Sequence, residues 1–375
     1  MQGKIKTLFY IFLISLVPTL IIWLPFALRL NSFWGIPLPQ NGMATIVANY
    51  DGPLYLAVAK TFYNKAMLGA NFQFPLPNEY YAAHFPLFPL LIKLVGLFTN
   101  YPYAMLLVTL ASSILALYFF YLLIGKFVEK KDALFLTLLF SVFPARWLIV
   151  RSVGSADPLF VAGVIASIYY FREKKYTLSG IWGAVATLTK SPGILLFVSY
   201  FVYFVLPFLR VKIDLKKMYP LFFIPGALLG VFILYWIVQG NFLAYFNSGD
   251  NIHLIFPPFS IFNFSAPWVG TFWLEEVIFV YLIGAVGVVR LFGKKEYEIA
   301  AFAAVFFTLS LFVAHRDIIR YSLPLVPFLY VAFSDVLIKK EIKVALYIIF
   351  IPLFLFSLAF ISQNVMPIAN WGPFL

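Results

Sequence analysis

Residues 7–28 read TLFYIFLISLVPTLIIWLPFAL, a stretch without a single charge, placed behind Lys4 and Lys6. A helix of about 20 apolar residues spans the hydrocarbon core of a bilayer. The stretch is longer than the apolar core of a signal peptide, and no small-x-small cleavage pattern follows it. It is therefore expected to be a retained anchor. The same reading repeats along the chain at 99–125, 132–150, 155–171, 176–189, 191–209, 218–239, 273–290, 297–314, 320–337 and 343–361. Ser191-Pro192-Gly193 splits one continuous apolar run and reads as a tight turn between two short helices. The expected fold class is an all-α polytopic membrane protein with about eleven transmembrane helices.

Composition points the same way. Of 375 residues, 63% are hydrophobic and 11% are charged, whereas a soluble domain carries roughly a quarter of its residues as charges. Lipid must be the solvent for much of the chain. The 45 Phe and 23 Tyr suit helix contacts and interfacial belts. There is no cysteine, which excludes disulfides, thiolate metal sites and a Cys nucleophile.

The net charge of +12 is not a nucleic-acid signature, because the basic residues sit in small clusters between apolar spans. With the N-terminus in the cytoplasm, 18 of the 27 Lys and Arg residues fall in short loops on the cytoplasmic side. That is the positive-inside pattern. No nucleic acid is expected as a partner. A plasma-membrane location is expected, with the C-terminus and any chemistry on the extracytoplasmic face.

Two segments on that face are long, 29–98 and 239–272, and loops of that length need a reason beyond connection. Residues 50–69 (YDGPLYLAVAKTFYNKAMLG) read as an amphipathic helix opening at a turn. Residues 85–98 (FPLFPLLIKLVGLF) are apolar but short, as in an interfacial or re-entrant helix. The chain reads as one unit over 1–375, without an internal repeat.

Charges at membrane depth are expensive and mark function. Asp51 stands in Asn49-Tyr50-Asp51-Gly52-Pro53. It can cap the following helix, and a carboxylate so held can also act as a base. His84, ahead of Phe85-Pro86, is either a packed residue or a partner in proton transfer. Arg146 and Arg151 lie near the outer end of one span, and Lys190 at the tip of the 176–209 hairpin. They either snorkel to headgroups or clamp a phosphate. Asp157 is read as a cap or an ion-pair partner of Arg151 or Lys190. His315-Arg316-Asp317 with Arg320 forms a further cluster, read equally as a solvated turn or a phosphate contact. It precedes a Pro-broken stretch of the kind tolerated where it lines a cavity. Asp250 is another acid on the same side. The chain lacks a G-x-x-x-x-G-K loop, a G-x-G-x-x-G turn and a His-rich metal cluster. Glu296-x-Glu298 falls on the cytoplasmic side and reads as solvated. No metal site is predicted from these residues, and a divalent metal is left open.

These features together resemble the GT-C superfamily of membrane glycosyltransferases, and within it the PIG-V-like branch that uses polyprenyl-phosphate-linked mannose. The matching pieces are Tyr50-Asp51-Gly52-x-x-Tyr55-Leu56-x-x-Ala59, then Phe85-Pro86-Leu87-Phe88-Pro89-Leu90-Leu91-Ile92-Lys93. Phe143-Pro144-Ala145 leads to Ser155-Ala156-Asp157-x-Leu159-Phe160. Leu178-Ser179-Gly180 leads to Ala186-Thr187-Leu188-Thr189-Lys190-Ser191-Pro192-Gly193. The last is Arg320-Tyr321-x-Leu323-Pro324-Leu325-x-Pro327. Relatives tend to carry Glu at the place of Asp157 and Arg at the place of Lys190.

The resemblance implies a polyprenyl-phosphate sugar as donor, an inverting transfer, and the first-loop acid, here Asp51, as catalytic base. Together with the charge reading, Arg146, Arg151, Lys190, Arg316 and Arg320 are the expected contacts of the donor phosphate. Tyr50, Tyr55, His84 and Asp157 are expected around the substrate. The acceptor is left open among a glycan, a glycolipid and a protein. Two other readings compete. A transporter or flippase of lipid-linked sugars would place charges near mid-span and pair broken helices in two similar halves. A non-catalytic scaffold would reduce the same charges to caps and snorkels.

Overall fold

The computed structural model of the chain describes residues 2–72, 74, 76–205, 215–249, 254–263, 273–315 and 317–375. Arg316, Asp250 and residues 251–253 and 264–272 of the expected 239–272 loop lie outside the described residues. The chain opens with α1 (Gln2–Ala27). The first loop carries a two-stranded ribbon, with Phe33 paired to Ile36, then α2 (Met43–Val47), α3 (Gly52–Thr61), α4 (Lys65–Asn71) and α5 (Leu87–Val95). The bundle continues through α6 (Tyr101–Ile124), α7 (Lys130–Val142), α8 (Ala145–Ser152), α9 (Asp157–Arg172), α10 (Tyr176–Thr189), α11 (Leu195–Val205) and α12 (Phe223–Gln239). It closes with α13 (Trp273–Gly293), α14 (Tyr297–Ser310), α15 (Ile318–Tyr321), α16 (Val326–Ala332), α17 (Ser334–Leu337) and α18 (Lys340–Gln363).

Among the described residues, five helices are long and apolar enough to cross a membrane, or six if α7 and α8, bent by 72° at Pro144, form one span. The eleven expected spans are not reproduced. The reason is visible in α9 and α10, of 16 and 14 residues. From Asp157 to Ile168 every residue of α9 is buried. Its partner α10 comes so close that a Cβ on Gly163 would sit 2.9 Å from the Ala186 backbone nitrogen. Ser167 bonds Tyr200 Oη at 2.7 Å and donates to the Ser179 carbonyl at 2.8 Å. Both helices fall short of the length that crosses a bilayer by itself, and α9 is apolar where protein surrounds it, which hydropathy does not separate from lipid. The 320–337 stretch, interrupted by Pro324 and Pro327, is divided among α15, a 3₁₀ turn, α16 and α17.

The amphipathic helix expected over 50–69 is also revised. Phe62 and Tyr63 take positive φ (45° and 67°), which separates α3 from α4. All of α3 except Lys60 is buried, so it is a core element. In α5, Phe88 and Ile92 face the core while Leu90 and Leu94 are exposed. Large apolar side chains are likewise exposed on α1, α12, α13 and α18, among them Phe9, Leu24, Ile237, Val289 and Ile348. Water penalises such faces; hydrocarbon accommodates them.

Two buried apolar clusters result. One joins α6, α7, α9, α11, α14 and α16. The other gathers the first loop, α8 and parts of α12 and α18. Tyr50 packs against both, and the candidate site lies where they meet.

Candidate active site

The site begins with a turn that sequence chemistry dictates. Asp51 precedes α3, and a Cβ on Gly52 would lie 2.2 Å from the Val47 carbonyl oxygen. Only glycine fits there. Tyr50 holds φ +48°, a conformation that a bulky residue adopts at a cost of about 1–3 kcal/mol and keeps only where its surroundings fix it. The surroundings do so. Asn49, fully buried, donates from Nδ2 to the Ile361 carbonyl at 2.8 Å, and Asn364 donates to Asn49 Oδ1 at 3.2 Å. Met366 N donates to the Ala48 carbonyl at 2.8 Å. The end of α18 and the segment after it thus hold the turn that presents Asp51.

Asp51 occupies the N-cap position of α3, but its side chain makes no capping hydrogen bond. Its Oδ2 lies 3.4 Å from Arg320 Nη2. Arg320, in α15, is buried and joins three acids: Nε donates to Asp157 Oδ2 at 2.8 Å, and Nη1 lies 3.7 Å from Asp317 Oδ2. Its guanidinium stacks 4.2 Å from the centre of the Tyr50 ring. Asp157, first residue of α9, accepts from Ser155 Oγ at 2.9 Å and pairs with Lys190 Nζ. Its charge also suits the N-terminal end of a helix. Arg146, at the start of α8, donates to Tyr50 Oη at 2.9 Å, lies 3.7 Å from Asp317 and stacks 3.8 Å from the Phe360 ring. Burial lowers the Lys190 ammonium from its ordinary value, against the pull of Asp157. Burial likewise raises the Asp317 carboxyl, although Arg320 and Arg146 oppose the shift.

Two cavities meet at Asp51. One, of about 490 Å³, is largely apolar, with Leu228, Phe232, Phe306 and Leu309 on its walls and Lys190, His84, Tyr55 and Asp157 at its polar part. The other, of about 1470 Å³, carries Arg146, Asp317, His315, Tyr50 and the stretch 363–370. Asp51, Arg320 and Tyr321 line both. His84 is buried with its ring edge-on to Tyr55 at 4.9 Å, and its carbonyl accepts from Tyr63 Oη at 2.6 Å.

Asp51, Tyr50, Tyr55, His84, Arg146, Asp157, Lys190 and Arg320 are therefore brought to one place. Arg151 is not. It is fully buried in α8 and donates to the Ser141 carbonyl at 2.8 Å and to Ser15 O and Oγ at 2.6 and 2.7 Å. Asp157 pairs with Lys190 and Arg320, not with Arg151. Glu296 is not simply solvated, since it pairs with Arg172, and Glu298 accepts from Tyr203 Oη at 3.3 Å. Asp317 belongs to the site; its charge beside Arg320 at a helix start was the available signal. The 363–374 wall gave none.

No group of three or more His, Asp or Glu converges on a metal position among the described residues. Arg320 already stands between Asp51 and Asp157, and a divalent ion shared by them would have to displace its guanidinium.

No family model and no curated protein matches the sequence. Solved structures do. ArnT from Cupriavidus metallidurans bound to undecaprenyl phosphate is similar over 93% of this chain and 74% of its own, with TM-score 0.57 and 11% identity. The archaeal oligosaccharyltransferase AglB from Archaeoglobus fulgidus, in complex with an inhibitory peptide and a dolichol-phosphate, is similar over 99% of this chain and 57% of its own, with TM-score 0.56 and 13% identity. The Archaeoglobus fulgidus oligosaccharyltransferase complex with Zn and sulfate matches at TM-score 0.53 and 14% identity, over 96% of this chain. The chain has the GT-C fold. The chain spans about half the length of that last structure, 54%.

Proposed function

We propose that the chain is a glycosyltransferase that moves a sugar from a polyprenyl-phosphate carrier to an acceptor hydroxyl, with Asp51 as general base. The observation that carries this reading is the place of Asp51. Its carboxylate, not engaged in capping its own helix, stands where an apolar cavity with cations meets a larger one of mixed lining. The apolar cavity suits the first isoprene units of a lipid carrier, with Lys190 and Arg320 beside its phosphate. ArnT and AglB, similar in fold, have been solved with undecaprenyl phosphate and dolichol-phosphate.

The step follows from these positions. The acceptor oxygen attacks the anomeric carbon from the face opposite the phosphate, and its proton passes to Asp51. The bond from carbon to phosphate oxygen breaks, and its electron pair stays on the phosphate. Lys190 and Arg320 stabilise the charge that develops there. A phosphate leaves as a stable anion, so the second carboxylic acid of glycoside hydrolysis is not required. The configuration at the anomeric carbon inverts. Arg146 lines the larger cavity only, so we assign it the orientation of Tyr50 in preference to a direct phosphate contact. The donor sugar is proposed as mannose on the resemblance of the motifs to the PIG-V-like branch. The site is proposed to open on the extracytoplasmic face of the plasma membrane on the distribution of Lys and Arg.

The test is transfer of radiolabelled mannose from a polyprenyl-phosphate donor in membranes holding the wild type or Asp51→Asn. Loss of a general base lowers the rate about 10²–10⁴-fold. Undiminished transfer by the variant removes Asp51 from that role.

A further inference from the structure

The larger cavity is built for a different ligand from the smaller one. Its volume, about 1470 Å³, exceeds the roughly 300–1,000 Å³ of ordinary small-molecule sites, so a single sugar would leave most of it filled with water. Rings stand on several sides: Phe72, Tyr80, Tyr321, Phe356 and Phe360. Between them lie the amides of Asn71, Gln363, Asn364 and Asn370. Three of these amides are held in fixed orientations. Asn71 Nδ2 donates to the Met67 carbonyl at 2.9 Å, Asn364 Nδ2 to Asn49 Oδ1 at 3.2 Å, and Asn370 Oδ1 accepts from Gly372 N at 2.8 Å. Each amide has four hydrogen-bonding positions, so one such bond leaves capacity for a ligand hydroxyl.

Charge narrows the ligand. Asp51, Glu276 and Asp317 line this cavity, and its cations Arg146 and Arg320 already face Asp317, Tyr50 and Asp51. Among the described residues three carboxylates thus face two guanidiniums that are already paired, and an anionic acceptor would find no free arginine among them. Main-chain recognition is also disfavoured, because the extended stretch at Val365–Met366 is bridged to Asn49 and bonded to Ala48. Rings that stack on C–H faces, and fixed amides that sort hydroxyls, suit a neutral carbohydrate.

We infer that the acceptor is a neutral glycan of more than one sugar, laid between Asn71, Phe72 and Tyr80 on one side and the segment 363–374 on the other, with one hydroxyl against Asp51. This rests on the glycosyltransferase reading for the step and adds the acceptor class. In that step the glycan hydroxyl gives its proton to Asp51 and its oxygen to the donor's anomeric carbon, releasing polyprenyl phosphate.

The experiment is saturation-transfer NMR on the full chain in lipid nanodiscs. The probes are mannose, mannobiose, mannotetraose, maltotetraose, a phosphorylated mannobiose and a neutral tetrapeptide containing Ser and Thr. Affinity is expected to rise about tenfold or more from mannose to at least one tetrasaccharide, as one added charged-group or bidentate contact gives. Phe356→Ala and Gln363→Ala are each expected to lower that affinity severalfold. Undecaprenyl phosphate binding to the same wild-type preparation verifies that the protein is intact. Binding of lipid phosphate with no gain from chain length overturns the inference, as does preference for the phosphorylated sugar or the peptide. Glycan binding without any transfer from a polyprenyl-phosphate donor would leave this inference standing and remove the catalytic reading.

Discussion

The two ends of α9 carry the same residue types in two different arrangements. At its start, Asp157 meets Lys190 and Arg320, and through Arg320 also Asp51 and Asp317. Asp157 and Arg320 expose only 6% and 5% of their side chains. At its end, about 24 Å away by helical rise, Arg172 pairs with Glu296 and Glu173 with Lys126. Further pairs at neighbouring helix ends join Lys343 to Asp132 at 2.6 Å and both Arg290 and Lys294 to Asp335. These are mostly single pairs that tie one helix end to the next, and Asp335 is 56% exposed. One end uses charge as staples between helix ends. The other gathers it around two cavities, where Asp157 and Asp317 each meet two cations and Arg320 meets three acids. Burial and partner number, rather than residue type, separate a site from a seam.

The largest expected effect breaks the buried end. Asp157→Ala leaves Lys190 and Arg320 without their shared carboxylate. Removing one partner of a buried pair costs about 3–5 kcal/mol. Thermal unfolding in detergent should show that loss, and sugar transfer should vanish with it. Asp157→Glu, which restores the charge, should recover most of the stability. Equal stability of the alanine variant and wild type would mean that the cluster is solvated and the contrast between the ends is false.

Arg151 sharpens the contrast from within the core. It is as buried as Arg320 but faces main-chain carbonyls and a hydroxyl in place of carboxylates. Arg151→Met should cost about 1–3 kcal/mol through the acceptors it leaves unpaired. Affinity for undecaprenyl phosphate, read by titration of the folded fraction, should not change. A tenfold weaker affinity would return Arg151 to the donor site.

Arg146→Lys tests what the fork geometry contributes. Lysine keeps the charge near Asp317 but cannot both donate to Tyr50 and lie flat on Phe360. Tyr50, held at positive φ, would lose one of its restraints. Transfer should fall about tenfold, the equivalent of 1.4 kcal/mol, with donor affinity unchanged. A fall in donor affinity instead would make Arg146 a phosphate ligand.

How far the sequence disclosed this depends on what each signal measures. Asp51, Asp157, Lys190 and Arg320 were legible because a charge at a helix end in an apolar chain has few innocent explanations. Arg151 satisfied the same criterion and lies elsewhere, because spacing along one helix does not say which face turns inward. Helical content and membrane character were legible in composition. The number of crossings was not, since an apolar segment such as α9 can be surrounded by protein as well as by lipid. The wall formed by 363–374 was out of reach because its role depends on contacts with Asn49 and Ala48, more than 300 residues earlier in the chain.

The smallest effect belongs to the seam. Asp335→Asn removes the shared partner of Arg290 and Lys294, both of which remain partly exposed to solvent. An exposed pair contributes about 0.2–1 kcal/mol, and screening reduces even that as salt rises. The variant should therefore unfold within a degree or two of wild type at physiological salt, the gap closing at high salt. Asp157→Ala should show no such closing, because its partners are shielded from the ions. If the two variants responded alike to salt, the difference in burial that distinguishes the two ends of α9 would carry no energetic weight.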